Sequence, residues 1–368
     1  MANPHDFTLP PELEKVLDQF SGWFAERKIA PELLQIILDR LAVLPPRSIV
    51  RADGDIAGRA RLYSWSRHHK ITPSSDGTVV SLLSGLLKRP VSALASEEEL
   101  LAKVDRLEWL FLFHRNGYMR EAALAKLSSP ALSPFFAAAI AYRLNDWVFE
   151  VRQAAVKAAT RVFAETPADI LAEAAEYLLD RDLHWGRWQD EGRVLETTLS
   201  RAEVVERLAK RLATATGGPM AKMMRSAFRY PGLESYLPEL ARSAFLPSVR
   251  VLALQSLIAG RARWPIGYEK VWVDKTMGFY RHQVAYAERA LSHAVNLEEL
   301  LRQGAHDRSA MVRKVAATAL VQNRHTLGNR DEIIALLKDD RSPSVQSAVE
   351  FVIRDLTAAA SVSSPASS

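Results

Sequence analysis

Apolar residues recur at intervals of three and four along most of this chain, which is the spacing of amphipathic helices. Residues 12–28 carry one such stripe behind Pro11, and residues 31–44 carry a second stripe that a Pro-Pro pair ends. Proline favours the first turn of a helix and is excluded from the interior, so these prolines mark helix boundaries. The pattern predicts an N-terminal helical hairpin over residues 1–44.

The same helical spacing returns at residue 79 and continues almost to the end of the chain. Three glutamates after Ser96 favour a helix start, because acidic side chains interact well with the N-terminal end of a helix dipole. The alternation of apolar and polar residues that is typical of strands is missing, so we predict no strand. The predicted helices cover residues 79–88, 97–114, 118–128, 134–144, 149–164 and 168–180.

Residues 45–78 separate these two helical regions and are rich in cations. Glycine and proline residues interrupt the segment, which predicts a basic loop with one short helix around residues 57–66. A solvated surface loop is the simpler interpretation, and a binding loop is the alternative. His68 and His69 are adjacent, whereas metal ligands on a helix lie three or four residues apart. The cations are Arg47, Arg51, Arg59, Arg61, Arg67 and Lys70.

One short motif recurs along the chain: an apolar residue, an arginine, two further residues and an alanine or leucine pair. Arg120 and Arg152 in this motif are 32 residues apart, and Arg152 and Arg250 are 98 residues apart, close to three such periods. Self-similarity at such a period is typical of stacked helical repeats. The copies occupy residues 118–124, 150–156, 248–254 and 311–317, with a degraded copy at 344–349 and a looser one at 286–291.

In two copies the motif follows a turn that carries an aspartate, Asp146 before Arg152 and Asp307 before Arg313. A polar turn followed by V-R-x-x-A at the start of a helix resembles the HEAT-repeat family, and the resemblance extends over residues 97–356. It implies an all-α fold. The expected architecture is an α-α superhelix, a solenoid of about six or seven helical hairpins over residues 79–356, after the N-terminal helical segment.

The resemblance also implies a structural role for the repeat arginines, in which each binds an acid or a helix-end carbonyl of the adjacent hairpin. The alternative is a row of cations on a concave face that binds phosphates or an acidic partner. Structural ion-pair networks are common, which favours the first interpretation. The residues of this predicted ladder are Arg120, Arg152, Arg250, Arg313, Asp146 and Asp307.

Two segments, residues 182–193 and 260–282, break the repeat and concentrate aromatic and basic side chains. Such side chains are typical of protein-binding hot spots and of nucleic-acid surfaces. The alternative is that the rings fill gaps between irregular hairpins. The candidate binding residues are Trp185, Arg187, Trp188 and Arg193 in the first segment, and Arg261, Arg263, Trp264, Tyr268, Lys270, Trp272 and Arg281 in the second.

Composition narrows the possible chemistry. The chain has no cysteine, which excludes disulfides, thiolate metal sites and a cysteine nucleophile. It also lacks phosphate-binding glycine motifs, HExxH and GxSxG, and it contains no His-Glu dipeptide, which separates it from the di-iron deoxyhypusine hydroxylases of the HEAT fold. We therefore expect no cofactor and no metal, and an enzyme is disfavoured.

The sequence also indicates where in the cell the protein is expected. No apolar run approaches the length of a bilayer span and the first residues lack a signal-peptide pattern, so we expect a cytoplasmic protein without membrane contact. The net charge of +5 permits an anionic partner without requiring one. Residues 357–368 lack charge and period and are predicted to form a disordered tail.

These observations favour a non-catalytic binding module or scaffold that engages a protein partner through its concave face and its aromatic-basic segments. Nucleic-acid binding without catalysis is one alternative. The other is a resemblance to HEAT-like DNA glycosylases, which excise alkylated purines. In that alternative Asp146 would stabilise the oxocarbenium ion, while Tyr142 and Trp147 would contact the base.

Overall fold

The computed structural model describes residues 8–63, 97–181, 185–187, 190–292 and 296–363. Over this part of the chain the protein is mostly helical, with eighteen α-helices and one two-stranded sheet. The predominance of helix predicted from the apolar spacing is confirmed, and the predicted absence of strands is wrong. No helix among these residues combines the length and apolarity needed to cross a bilayer.

The chain divides into two compact units, and the first contains the described residues up to Ala174 together with those of Trp185–Leu195. Its helices bury aromatic side chains, among which the Trp109 and Phe136 rings meet edge to face at 5.3 Å. The helices are α1 (Pro11–Ala25), α2 (Pro31–Ala42), α3 (Ile49–Arg59), α4 (Glu97–Lys103), α5 (Leu107–Phe111), α6 (Gly117–Lys126), α7 (Pro134–Arg143) and α8 (Phe149–Glu165), and α9 (Ala168–Arg181) begins here.

Helix α3 corrects the prediction of a loop after residue 44. A 3-10 turn, Pro46–Ser48, leads directly into this helix, which buries Ile49, Ala52 and Ile56 on one face. That spacing suits an amphipathic helix, and the burial outweighs the cost of about 1 kcal/mol for each interior glycine. The rest of the predicted basic loop from residue 64, and the predicted helix over 79–88, lie outside the described residues.

The predicted helix over residues 97–114 is two helices, α4 and α5. Arg106 separates them in the left-handed region, at φ 69°. The second helix carries the apolar run around Trp109, which is fully buried. The break lets consecutive apolar residues enter the core from different directions, which a single continuous helix face does not allow.

The second unit contains the described residues of Ala175–His184 and Glu196–Ser368. Its last four helices share one apolar core, in which Leu301, Ala316, Leu320 and Val349 are buried. The elements are α10 (Arg193–Leu199, which begins in the first unit), α11 (Ala202–Thr214), α12 (Met220–Ala227), the 3-10 turn Pro231–Tyr236, α13 (Leu237–Ser243), α14 (Pro247–Ala259), β1 (Arg261–Asp274), β2 (Phe279–Ala290), α15 (Leu297–Ala305), α16 (Ala310–Asn323), α17 (Arg330–Leu337) and α18 (Pro343–Ser363).

Helix α18 also corrects the predicted disordered tail. The helix continues to Ser363, and the Thr357 hydroxyl donates to the Ile353 carbonyl within it. Three alanines follow Thr357, and alanine has the highest helix propensity, so the helix is extended past the last apolar residue of the repeat. Residues 364–368 lie outside the described part of the chain.

The two strands form a long antiparallel hairpin where the sequence predicted a loop and a loose copy of the repeat at 286–291. The pairing runs from Arg261 opposite Ala290 to Asp274 opposite Phe279, with bulges after Pro265 and after Trp272. At the turn Asp274 Oδ1 accepts hydrogen bonds from the backbone nitrogens of the two residues before Gly278, at 2.8 and 3.2 Å. Most side chains of the hairpin are exposed on both faces, so the alternation that reveals a half-buried strand is absent.

Candidate binding surface

The repeat arginine of α14 is buried and fully engaged. Arg250 is 1% exposed, and its Nε and Nη2 donate to the two carboxylate oxygens of Asp307 at 2.7 and 2.9 Å. Its Nη1 donates to the carbonyls of Ala244 and Phe245, at the end of the preceding helix, at 2.6 and 3.0 Å. Asp307 Oδ1 in turn accepts from the Ser309 backbone nitrogen at 2.7 Å. One side chain therefore joins two successive helical hairpins.

The next arginine repeats this pattern. Arg313 donates to both carboxylate oxygens of Asp340 and, through Nη1, to the Asp307 carbonyl at 2.9 Å. The Arg313 guanidinium holds the pKa of Asp340 below its ordinary value, and a hydrogen bond from the Ser342 backbone nitrogen acts in the same direction. Asp340 was not singled out by the sequence, although it precedes the degraded last copy of the repeat as Asp307 precedes Arg313.

The first unit contains a matching pair. Arg120 donates to Asp146 Oδ2 and Oδ1 at 2.9 and 2.8 Å and to the His114 carbonyl at 2.8 Å. Arg143 donates to the same aspartate at 3.0 Å and also pairs with Asp53. Burial alone would raise the pKa of Asp146, but the hydrogen bond from Arg120 and the charge of Arg143 outweigh it and lower the pKa.

The spacing of these pairs shows where the repeat is interrupted. The arginine and the aspartate are 26 residues apart for Arg120–Asp146 and 27 for Arg313–Asp340, but 57 for Arg250–Asp307. The hairpin of β1 and β2 lies inside that longer interval and accounts for the excess of about 30 residues. Its two ends are adjacent, since the Leu291 backbone nitrogen donates to the Gly260 carbonyl at 2.9 Å. The hairpin thus lies, in sequence, between the two partners of the Arg250–Asp307 ion pair.

The three residues that the glycosylase alternative would place at an active site differ in their burial and in their contacts. Asp146 is 5% exposed, and both of its oxygens accept hydrogen bonds from arginines. Trp147, its neighbour in sequence, is 72% exposed. Tyr142 is half-buried, with its ring 4.7 Å from the guanidinium of Arg143, and burial raises its pKa.

Within the segment 182–193, the described residues from Trp185 onward belong to the first unit. Trp185 is 6% exposed and lies 5.8 Å from the Tyr142 ring. Glu191 accepts from the repeat arginine Arg152 at 3.1 Å, and the Arg152 Nη1 donates to the Asp146 carbonyl at 3.0 Å. Arg187 and Arg193 are exposed, and Arg193 pairs with Asp190 at 3.0 Å. Trp188 lies outside the described residues.

The hairpin has two chemically distinct faces. In an antiparallel pair, directly opposite residues lie on the same face, so the register assigns each paired side chain to a face. We call one side the aromatic face, because it holds four aromatic rings with cations between them. Its members are Arg261, Arg263, Tyr268, Lys270 and Trp272 of β1, and Tyr280, His282, Tyr286 and Glu288 of β2.

Cations on the aromatic face lie directly against the rings. Lys270 Nζ is 3.9 Å from the centre of the Trp272 ring and 3.8 Å from that of Tyr280, and these two rings meet edge to face at 5.7 Å. Closer to the base, the Arg263 guanidinium lies 4.3 Å from the Tyr286 ring. Tyr268 between them is 60% exposed. The face is an ordered row of rings and positive charges open to solvent.

The opposite face anchors the hairpin. Ala262 is fully buried, and Trp264 is half-buried beneath the Arg289 guanidinium at 5.1 Å. Arg289 donates to Glu234 Oε1 at 2.9 Å and to the Phe228 carbonyl at 2.9 Å. Trp264, which the sequence predicts as a binding residue, thus lies at the attachment of the hairpin, and its binding role stays a prediction. Arg281 is on this same face, exposed and close to the turn.

A cleft of about 500 Å³ lies at the foot of the aromatic face. Helix α14 forms one side of it, and three arginines face one glutamate, Glu288, which pairs with Arg261 at 3.0 Å. The described residues hold no cluster of side chains suited to a metal ion. The arginines of the cleft are Arg225, Arg261 and Arg263.

No known family model matches the sequence. A search of curated proteins also finds no match.

Proposed function

We propose that this chain is a non-catalytic binding module, built on HEAT-like helical hairpins, that captures an anionic macromolecule on the aromatic face of its inserted hairpin. The observation that carries the proposal is the insertion itself. Thirty residues, 261–290, interrupt the repeat between Arg250 and Asp307 without disturbing their ion pair. Insertions in repeat proteins commonly form the binding face.

Exposed rings on this hairpin support a binding role. A two-stranded hairpin is marginally stable by itself in water, and cross-strand pairs such as Trp272 with Tyr280 support it without burying their rings. Tyr268, Trp272 and Tyr280 are all exposed, with Trp272 at 44%. Tryptophan, tyrosine and arginine are the side chains that dominate binding energy at interfaces. A partner that covers these rings accounts for their position.

The charge of the surface favours an anionic partner. Arg263 and Lys270 lie between the rings, and Arg225 and Arg261 extend the positive charge into the cleft. One carboxylate, that of Glu288, offsets them on this part of the surface. Cations that are already held against rings lose little side-chain freedom when they bind a phosphate or carboxylate.

The contacts of the repeat arginines favour a supporting role for them. Arg120 and Arg250 are buried and bidentate, so they offer no charge to a partner. The same contacts occupy both oxygens of Asp146, and we therefore propose binding rather than excision of a base. In the second unit, the pair of Arg250 with Asp307 holds together the helices on either side of the hairpin.

Heparin chromatography and a salt titration with a fluorescent polyanion test this proposal. We expect the double charge reversal Arg263→Glu/Lys270→Glu to weaken polyanion binding by about tenfold or more and to reduce its salt dependence. The matched control is Arg281→Glu, a reversal on the opposite face of the same hairpin, which should have a much smaller effect. Equal loss in both variants would refute a face-specific surface.

A further inference from the structure

Rings and a cation alternate along β1 on the aromatic face, as bases and phosphates alternate along a nucleotide chain. We propose that this face binds single-stranded nucleic acid, with bases stacked on Tyr268 and on the parts of the Trp272 and Tyr280 rings that Lys270 leaves exposed, and with phosphates held by Lys270 and Arg263. This inference rests on the proposed function and names the ligand of the same surface. Stacking on aromatic rings combined with backbone contacts to cations is how proteins bind single strands without reading their sequence.

The spacing of ring and cation along β1 supports this ligand. Tyr268, Lys270 and Trp272 are alternate residues of one strand and lie on one face. Tyr268 and Trp272 are four residues apart, about 13 Å along the strand, which is roughly four times the 3.4 Å rise per nucleotide of a stacked strand. An extended, unstacked strand that gives one base to Tyr268 and another to Trp272 therefore has about one further nucleotide between them, with its phosphates close to Lys270.

The open form of the face favours single strands over duplexes. The rings lie on the broad side of a two-stranded sheet, where they can stack only on bases whose faces are uncovered. In a duplex those faces are covered by neighbouring base pairs, so the rings cannot stack on them. An acidic protein likewise satisfies Arg263 and Lys270 but provides no series of flat surfaces for three rings.

The cleft continues the same path. Tyr286 is at its rim, and Arg225 and Arg261 line it beside Arg263. A strand that leaves Tyr268 toward the base of the hairpin thus meets the guanidinium groups of the cleft. Glu288 on this path pairs with Arg261, so its carboxylate is offset, and Arg225 and Arg263 remain for the phosphates.

Fluorescence anisotropy with a labelled DNA oligonucleotide of about 12 nucleotides tests the inference on the full chain. We expect the wild type to bind this single strand more tightly than a duplex of the same sequence. The variant Trp272→Ala/Tyr280→Ala should lose about tenfold or more in affinity, while Trp272→Phe/Tyr280→Phe retains most of it. Phe279→Ala, which removes an exposed ring from the opposite face, is the matched control and should change little. Circular dichroism checks that each variant is folded.

The outcomes separate this inference from the proposed function. If the chain binds heparin through Arg263 and Lys270 but neither single-stranded DNA nor RNA of the same sequence, the ligand assignment is wrong and the binding surface stands. If it binds neither heparin nor a single strand, both proposals are wrong. Tighter binding of duplex DNA than of either single strand would overturn the assignment, and so would equal losses in the Phe279→Ala and Trp272→Ala/Tyr280→Ala variants.

Discussion

At the residue scale, the central feature is the arginine that spans two hairpins. Arg120, Arg250 and Arg313 each bind a carboxylate with two nitrogens and use the third to satisfy a carbonyl at the end of a helix. Only a guanidinium provides this combination, since the ammonium of lysine cannot form a bidentate fork. Breaking such a buried pair leaves an uncompensated charge, which costs about 3–5 kcal/mol.

This predicts a pH-dependent defect in Asp146→Asn. At neutral pH the variant leaves Arg120 and Arg143 without their shared anion, and we expect about 3–5 kcal/mol lower stability. Because the folded-state pKa of Asp146 is lowered, the carboxylate stabilises the wild type above the ordinary aspartate pKa. That contribution disappears as the pH falls through the lowered value, so the two proteins should converge in acid.

Urea unfolding at neutral pH and below pH 4 (about the ordinary aspartate pKa) measures this difference. Asp190→Asn is the control, because it removes an aspartate from an exposed pair with Arg193 and exposed pairs contribute little. A gap between wild type and Asp146→Asn that stays constant or widens toward acid pH would contradict the assignment of Asp146 to the ladder.

At the element scale, the hairpin of β1 and β2 places its aromatic residues in two different surroundings. Trp264 and Trp272 are on the same strand but on opposite faces. The first lies under Arg289, which is bonded to Glu234, while the second is open to solvent. The two tryptophans therefore provide a comparison in which the residue removed is identical and its surroundings differ.

We expect Trp264→Ala to loosen the base of the hairpin more than Trp272→Ala does. The reason is that Trp264 is packed against the helices of the unit, whereas Trp272 loses only its contacts with Tyr280 and Lys270 within the hairpin. Hydrogen exchange of the β1 and β2 amides measures the local opening. Faster exchange in Trp272→Ala than in Trp264→Ala would be inconsistent with the division of faces.

The features that can be predicted from the sequence are those that leave a local pattern in it. The helices and the arginine motif follow from apolar spacing and from the recurring V-R pair. The carboxylate that each arginine binds lies 26 to 57 residues away, and Asp340 carries no motif arginine after it, so its role is a tertiary property. The hairpin was missed because exposure on both faces removes strand alternation, although Asp274 and Gly278 marked its turn.

At the scale of the whole molecule, each unit is a helical framework, and the second carries one projecting insertion. The framework joins successive hairpins by buried ion pairs, and the insertion adds rings and cations that the framework does not use. Stability and binding are consequently assigned to different residues. A substitution in the ladder should lower the stability of the protein without changing the aromatic face directly. A substitution in the aromatic face should weaken binding without unfolding the protein.

The most direct test of this account replaces residues 265–286 by an Asn-Gly turn, which joins Trp264 to Ala287 across an existing strand pair. The anchors Ala262, Trp264 and Arg289 remain, and the pair of Arg250 with Asp307 is untouched. We predict a helical protein with nearly the same melting temperature whose polyanion affinity falls by at least about tenfold. Polyanion affinity equal to that of the intact chain would contradict the account.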